Sequence, residues 1–317
     1  MKFLVTDYDF ADLELERKLV AGAGHELVEA QCRTEDDVIA AARGCAGLLV
    51  QYAPVNAKVL AARPEIRVVS RFGAGFDTVN TDDARRFGVW VSNSPDYGVH
   101  EVSAHALAMA LALVRHLPLL DRDVRSGKWM FDSSGELRRV SRLTLGILGV
   151  GRIGKRMAQI STPIFGRVLG CDPYIAPGDF PAGVKSVARE ELFRESDIVS
   201  LHVPLNDETR HIAGGAMLSL MKHGSFLVNT SRGSVAHLDD VLAALDSGRL
   251  EGAGLDVLPK EPPAADHPVL RHPRVILSPH AAFYSNEGVT ELRTKAAQNL
   301  IDWAKSGKPT YVVVEGR

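Results

Sequence analysis

Four polar residues late in the chain, Arg232, Asp256, Glu261 and His280, are of types that together could reduce a carbonyl standing beside a carboxylate. Imidazolium is a proton donor suited to neutral pH. A carboxylate on the other ring nitrogen would orient the ring and stabilise its charged form. A guanidinium holds carboxylate and carbonyl oxygens in a fixed fork, which the point charge of lysine does less well. His280 is therefore assigned as acid/base, Glu261 as its partner, and Arg232 as substrate clamp and carbonyl polariser. Singly, each residue has an ordinary explanation: a cation near a helix, a turn former, a loop acid before Pro262 and Pro263, and one of eleven histidines. What joins them is complementarity and placement. Arg232, Glu261 and His280 follow the apolar runs 226–229, 252–257 and 275–278, which read as strands, Asp256 stands at the end of the second, and ligands of open α/β sheets lie beyond the carboxyl ends of strands.

Such a reduction needs a hydride, and the chain offers a place for its carrier. The apolar run 143–148 feeds into Gly149-x-Gly151-x-x-Gly154, after which Ile153, Met157, Ile160 and Ile164 recur at helical spacing. The first glycine permits a tight turn, the second lets backbone approach a pyrophosphate, and the third lets helix pack close to sheet. Gly149, Gly151, Arg152, Ile153 and Gly154 would thus present a helix N-terminus to phosphates. A glycine turn of this kind is weak evidence by itself. Its strand, its helix and Asp172, at the end of the apolar run 168–171, make it a dinucleotide site. The Asp172 carboxylate accepts ribose hydroxyls and repels a 2′-phosphate, so NAD is expected over NADP. Pro173 and Tyr174 supply no arginine to reverse that choice.

These motifs need two domains to position them, and 317 residues suffice for two of ordinary size. A 45% hydrophobic, 24% charged composition with net charge −2 gives no reason to expect nucleic acid or an anionic membrane as partner. The three cysteines, Cys32, Cys45 and Cys171, lack metal-ligand spacing, so no metal is expected. With no recognisable targeting leader, a reducing cytoplasm is the expected compartment. In the first third, strand-like runs 2–6, 26–29, 48–51, 68–70 and 89–92 alternate with helical stretches 12–21, 36–43, 56–62 and 81–87, which predicts an open parallel sheet. The turn Arg71-Phe72-Gly73-Ala74-Gly75 follows one of these strands. Alone it reads as an ordinary βα turn, although its N–H groups could hold a small anion. Residues 99–114 form a helix apolar on nearly every side, fit for a core or a subunit interface, and Pro118 should interrupt it. Residues 125–142 read as a loop, Pro163 should end the helix after the glycine turn early, and 287–306 form one amphipathic helix.

Taken in order, Gly149-x-Gly151-x-x-Gly154, Asp172-Pro173, His202-Val203-Pro204-Leu205, Asn229-Thr230-Ser231-Arg232-Gly233, Leu255-Asp256-Val257, Glu261-Pro262 and Ser278-Pro279-His280-Ala281-Ala282 resemble the D-isomer-specific 2-hydroxyacid dehydrogenase family. The resemblance spans nearly the whole chain from Arg71 onward. It implies NAD-dependent interconversion of a small 2-keto acid and its D-2-hydroxy acid, with Arg232, Glu261 and His280 as the catalytic set. It also implies that Asp256 and the backbone around Thr230 and Ala282 face the nicotinamide, with Pro204 and Ser231 as further cofactor contacts. Arg71, Gly73, Ala74 and Gly75 would then hold the substrate carboxylate. The implied fold is two doubly wound parallel-sheet domains with a cleft between them. A flavodoxin-like substrate domain, 1–98 plus 281–317, is interrupted by a Rossmann NAD domain, 99–280, and a homodimer joined through the latter suits the helix 99–114. Arg71 and the run His280–Ser285 resemble the branch containing the C-terminal-binding-protein corepressors, which carries Trp where Phe283 stands. An NAD-sensing binding protein is therefore the alternative. Ser231 stands where alanine is common in the family.

Overall fold

Short runs of Val, Leu and Ile between capped helices build two separate sheets in the computed structural model, which describes residues 1–317. One compact unit is Met1–Gly98 with Tyr284–Arg317, and the other is Val99–Phe283. The second crossing between them thus falls after Phe283 rather than after His280, so the histidine and the two alanines beyond it stay on the unit that carries the glycine turn.

In the first unit, β1 (Lys2–Val5), β2 (Glu26–Glu29), β3 (Gly47–Val50), β4 (Val68–Arg71) and β5 (Trp90–Ser92) pair in parallel in the order β5-β4-β3-β1-β2. Four helices connect them: α1 (Glu14–Gly22), α2 (Glu35–Ala41), α3 (Ala57–Ala62) and α4 (Thr81–Phe87). Local caps fix their starts. Thr34 and Asp37 form a reciprocal capping box, and Asn80 accepts from the N–H groups of Asp82 and Asp83. The C-terminal helix Asn286–Ser306 buries Leu292, Ala296 and Leu300 and ties itself to β4 by Ser70 Oγ donating to Ala296 O at 2.8 Å. One strand was not expected. Val312–Val314 pairs antiparallel with β5 at the sheet edge.

The second unit opens with α5 (Val99–Val114), which buries Ala106, Met109, Ala110 and Leu113. Pro118 does not end a helix here. The chain turns at His116, in the left-handed region with φ 49°, and Pro118 lies in the first turn of a new helix, α6 (Leu117–Arg125), where its missing N–H has no intrahelical partner to lose. Next come β6 (Thr144–Leu148), α7 (Arg152–Ser161), β7 (Arg167–Cys171), β8 (Val184–Ser186), α8 (Arg189–Glu195) and β9 (Ile198–Leu201), then α9 (Gly215–Leu220), β10 (Ser225–Asn229), α10 (Leu238–Asp246), β11 (Leu250–Leu255) and β12 (Val275–Leu277). The helix α7 stops ahead of Pro163, which leaves Ile164 outside it. All seven strands run parallel in the order β12-β11-β10-β9-β6-β7-β8. Strand order reverses at β6, between β7 and β9, and this is the switch point at which such sheets bind nucleotides. No single helix is long and apolar enough to cross a membrane.

Candidate active site

At the switch point the glycine turn is shaped by close contacts. Gly149 follows β6 with φ +88°, and a Cβ there would lie 2.6 Å from the carbonyl oxygen of His202. A Cβ on Gly154 would lie 2.0 Å from the carbonyl oxygen of Gly149. Only glycine fits either position. Around Gly151 there is open space, and Gly151 caps α7 with no side-chain bond to its first N–H groups. The helix therefore starts with free donors aimed into a cradle. Parallel pairing of Leu148 with Cys171 brings the next strand end alongside, and Asp172 accepts from Val150 N at 2.8 Å and Tyr174 N at 3.0 Å. Each carboxylate oxygen keeps a further lone pair for a ribose hydroxyl.

Across the switch point, Thr230 at the end of β10 is buried and its Oγ1 has no hydrogen-bond partner. A buried, unpartnered hydroxyl at the same carboxyl edge of the sheet as the glycine cradle is a group a dinucleotide could satisfy, so the residues present fit NAD. Ser231 is held by Asn229, whose Oδ1 accepts from both its N–H and its hydroxyl at 3.0 and 2.8 Å. Pro204 is exposed in the loop after β9, where its carbonyl accepts from Thr209 Oγ1 at 2.5 Å.

The three candidate catalytic side chains meet in this same unit. Gly233 packs so tightly on the loop after β11 that a Cβ would lie 2.0 Å from the carbonyl carbon of Leu258. That approach brings the half-buried Arg232 toward Glu261. His280 Nδ1 lies 2.7 Å from Glu261 Oε2, and Leu258 N donates to Glu261 Oε1 at 2.8 Å. Partial burial pushes the Glu261 carboxyl up. The His280 and Leu258 hydrogen bonds and the charges of His280 and Arg232 outweigh it and hold the group below its ordinary value. Glu261 is accordingly an acceptor at neutral pH, and the His280 ring donates to it from Nδ1.

Asp256 does something the motif alone did not show. It is buried, and its carboxylate turns onto the segment that carries His280. It accepts from Ala281 N at 2.9 Å, from Ala282 N at 3.1 Å and from the Ser278 hydroxyl, while its carbonyl accepts from His280 N at 2.8 Å. His280 itself is left-handed, φ 53°, a conformation costing a non-glycine residue about 1–3 kcal/mol that these bonds offset. Ser278 is thus a site residue that the Ser-Pro-His run contained but periodicity could not assign. His202 is another; its Nε2 lies 2.8 Å from Ser200 Oγ beneath the glycine turn, and burial lowers its pKa to about 4.

The first unit holds the other predicted turn. Gly73 has φ +141°, and a Cβ there would fall 1.4 Å from Arg71 Nη1, so the guanidinium lies against the glycine. Asn93 Nδ2 donates to Ala74 O at 2.6 Å and Ser94 N to Gly73 O at 2.9 Å, which fixes the turn at Gly73 and Ala74.

Residues 107–282 match the family model described as D-isomer specific 2-hydroxyacid dehydrogenase, NAD binding domain. The chain belongs to this family. A glyoxylate reductase of Korarchaeum cryptofilum is 37% identical over 82% of this chain and 80% of its own length. The D-3-phosphoglycerate dehydrogenase of Rattus norvegicus is 32% identical over 94% of this chain, which spans 56% of that longer protein. Among solved structures, the D-lactate dehydrogenase from Aquifex aeolicus complexed with NAD and lactic acid superposes with a TM-score of 0.88 at 27% identity, covering 99% of this chain and all of that one (100%). The protein is an NAD-dependent 2-hydroxyacid dehydrogenase, and its fold is that of the family.

Proposed function

We propose that the chain reduces a small 2-keto acid of the glyoxylate or pyruvate kind to the D-2-hydroxy acid, with His280 as proton donor. The observation that carries this is the 2.7 Å bond from His280 Nδ1 to a carboxylate held ionised, which leaves Nε2 as the ring nitrogen able to serve a ligand. When bound, NADH supplies the hydride. Glu261 orients the ring and balances the charge of its imidazolium form, the form in which Nε2 gives a proton to the forming alkoxide. Arg232 offers its guanidinium fork to the carbonyl and carboxylate oxygens. Arg71 with the N–H groups of Gly73, Ala74 and Gly75 takes the substrate carboxylate, which makes the unit Met1–Gly98 with Tyr284–Arg317 the substrate domain. Asp172 holds the adenosine ribose, Gly149, Gly151, Arg152, Ile153 and Gly154 hold the pyrophosphate, and Pro204, Thr230, Ser231, Asp256 and Ala282 line the nicotinamide end.

His280→Ala should lower keto-acid reduction by roughly 10²–10⁴-fold while NADH still binds. Normal reduction by that variant would remove the histidine from its role. NADH-dependent assembly without turnover of glyoxylate, pyruvate or hydroxypyruvate would favour the corepressor-like alternative instead. We also propose a cytoplasmic homodimer joined through the second unit. Trp129 and Phe131, just beyond α6, are 84% and 90% exposed, an apolar surface that a second copy would cover; a monomer in sedimentation equilibrium would refute this.

A further inference from the structure

Helix α5 carries His105, Met109 and Leu113 at successive turns, and β11 with the residue after it carries Gly252, Gly254 and Asp256 on one face. Four helical residues rise about 6 Å. Two strand residues advance about 6.6 Å. The two series therefore stay in step where the helix lies along the strand. The glycines permit the approach: a Cβ on Gly252 would lie 2.9 Å from Leu113 Cδ2, and one on Gly254 would lie 3.1 Å from Met109 Cβ. The last pair in the series is His105 with Asp256. There His105 Nε2 lies 2.9 Å from Ser278 Oγ and 3.7 Å from Asp256 Oδ1.

Proton counting gives this contact a direction. Ser278 has one hydroxyl proton and donates it to Asp256 Oδ1. Nε2 of His105 must then be the donor to Ser278 Oγ. With that lone pair occupied, the hydroxyl proton is directed at the buried carboxylate rather than free to rotate away.

We propose that His105 is a positioning residue for the reduction. Through the Ser278 hydroxyl it fixes the Asp256 carboxylate, from which the N–H groups of Ala281 and Ala282 hang, and so sets the left-handed turn that presents His280. This rests on His280 being the proton donor. The His105 side chain is 30% exposed, so its removal leaves no buried hole; the loss is in orientation rather than in stability.

The test compares His105→Ala, His105→Gln, Ser278→Ala, the His105→Ala/Ser278→Ala double variant and His280→Ala, with NADH and glyoxylate, pyruvate or hydroxypyruvate. Small misplacement of a reacting group can cost up to about 100-fold, so His105→Ala should lower kcat by roughly 10- to 100-fold with NADH affinity unchanged. His105→Gln should recover most of the rate, because its amide can donate where Nε2 did. The double variant should be no slower than Ser278→Ala alone. Should His105→Ala fail to bind NADH, His105→Leu, which keeps bulk without a donor, carries the same expectation. Full kcat in the donor-free variant, a glutamine as slow as the alanine, or multiplied losses in the double variant would each overturn the inference while an inactive His280→Ala leaves the proton donor standing. Normal reduction by His280→Ala, or no turnover of any of the three acids by the unaltered protein, would overturn the proton-donor role and this inference with it.

Discussion

Replacing Glu261 by Gln removes one charge beside His280 and keeps the shape of the side chain. The effect can be sized from the geometry. With the His280 Nδ1 to Glu261 Oε2 distance at 2.7 Å, the two charge centres stand about 4 Å apart, where Coulomb attraction is about 1 kcal/mol in water and about 4 kcal/mol at an effective dielectric of 20. The His280 and Glu261 side chains are 40% and 37% exposed, which places the pair toward the aqueous end. A stabilisation of about 1–2 kcal/mol, if realised in the transition state, corresponds to a factor of roughly 5 to 30 in rate. Losing the charge and half of the orienting pair, Glu261→Gln should reduce keto acid with a kcat/KM at pH 7 lower by roughly 5- to 30-fold, with NADH affinity retained. The carboxyl is held below its ordinary value, so it is charged throughout the neutral range and its own titration does not enter. Initial rates of NADH loss with glyoxylate at pH 7 would measure the fall. An unchanged or raised rate would refute the role of the pair in supporting the donor.

Asp172→Ala should reduce kcat/KM with NADH by roughly 10- to 100-fold, the worth of hydrogen bonds to a charged group, and leave NADPH little affected; unchanged discrimination between the two cofactors would remove the carboxylate from that role. Arg232→Lys keeps the charge but not the fork, and should lower kcat/KM for the keto acid on the order of 10²-fold with NADH affinity retained, as read by NADH fluorescence titration. Acid stability should depend on His202, whose pKa falls to about 4 in the folded chain against 6.5 for an ordinary histidine. The unfolded chain takes up this proton first, so stability is complete above pH 6.5 and is lost progressively toward pH 4, by at most about 3 kcal/mol. Chemical denaturation with His202→Gln should show a shallower loss over that window.

Where the chain departs from its sequence-level reading, tertiary contacts decide. Nothing in the apolar run 99–118 announces that His116 turns left-handed, since asparagine or glycine is the usual occupant of that region. Its ring is buried and Nδ1 pairs with Ser134 O at 2.8 Å, a contact from a loop that has no periodicity to read. Once that turn is made, Pro118 starts a helix instead of stopping one. The edge strand Val312–Val314 is too short to show alternation, and it exists because β5 leaves an open edge for it. Asp256 was legible as a residue of the site but not as the anchor of the His280 turn, because the direction of a buried carboxylate is set by donors that lie in other loops.

The glycine turn, Asp172, Arg232, Glu261 and His280 could be placed from sequence because of how this sheet is wound. In a parallel sheet the loops at the carboxyl edge lie side by side, and β9, β10, β11 and β12 are neighbours in the order in which they occur. Sequence order is therefore spatial order along that edge, and groups separated by tens of residues converge without any further folding information. Asp172 obeys the same rule on the other side of β6, where β7 is the next strand. His105 does not, because α5 precedes the first strand of the sheet and packs on α7, β10 and β11. Its partner is chosen by the match of helical rise to strand advance and by two glycines that admit the helix. If that match is what places His105, Gly254→Ala should push Met109 away, lengthen the contact to Ser278, and lower kcat in the manner of His105→Ala with NADH affinity retained.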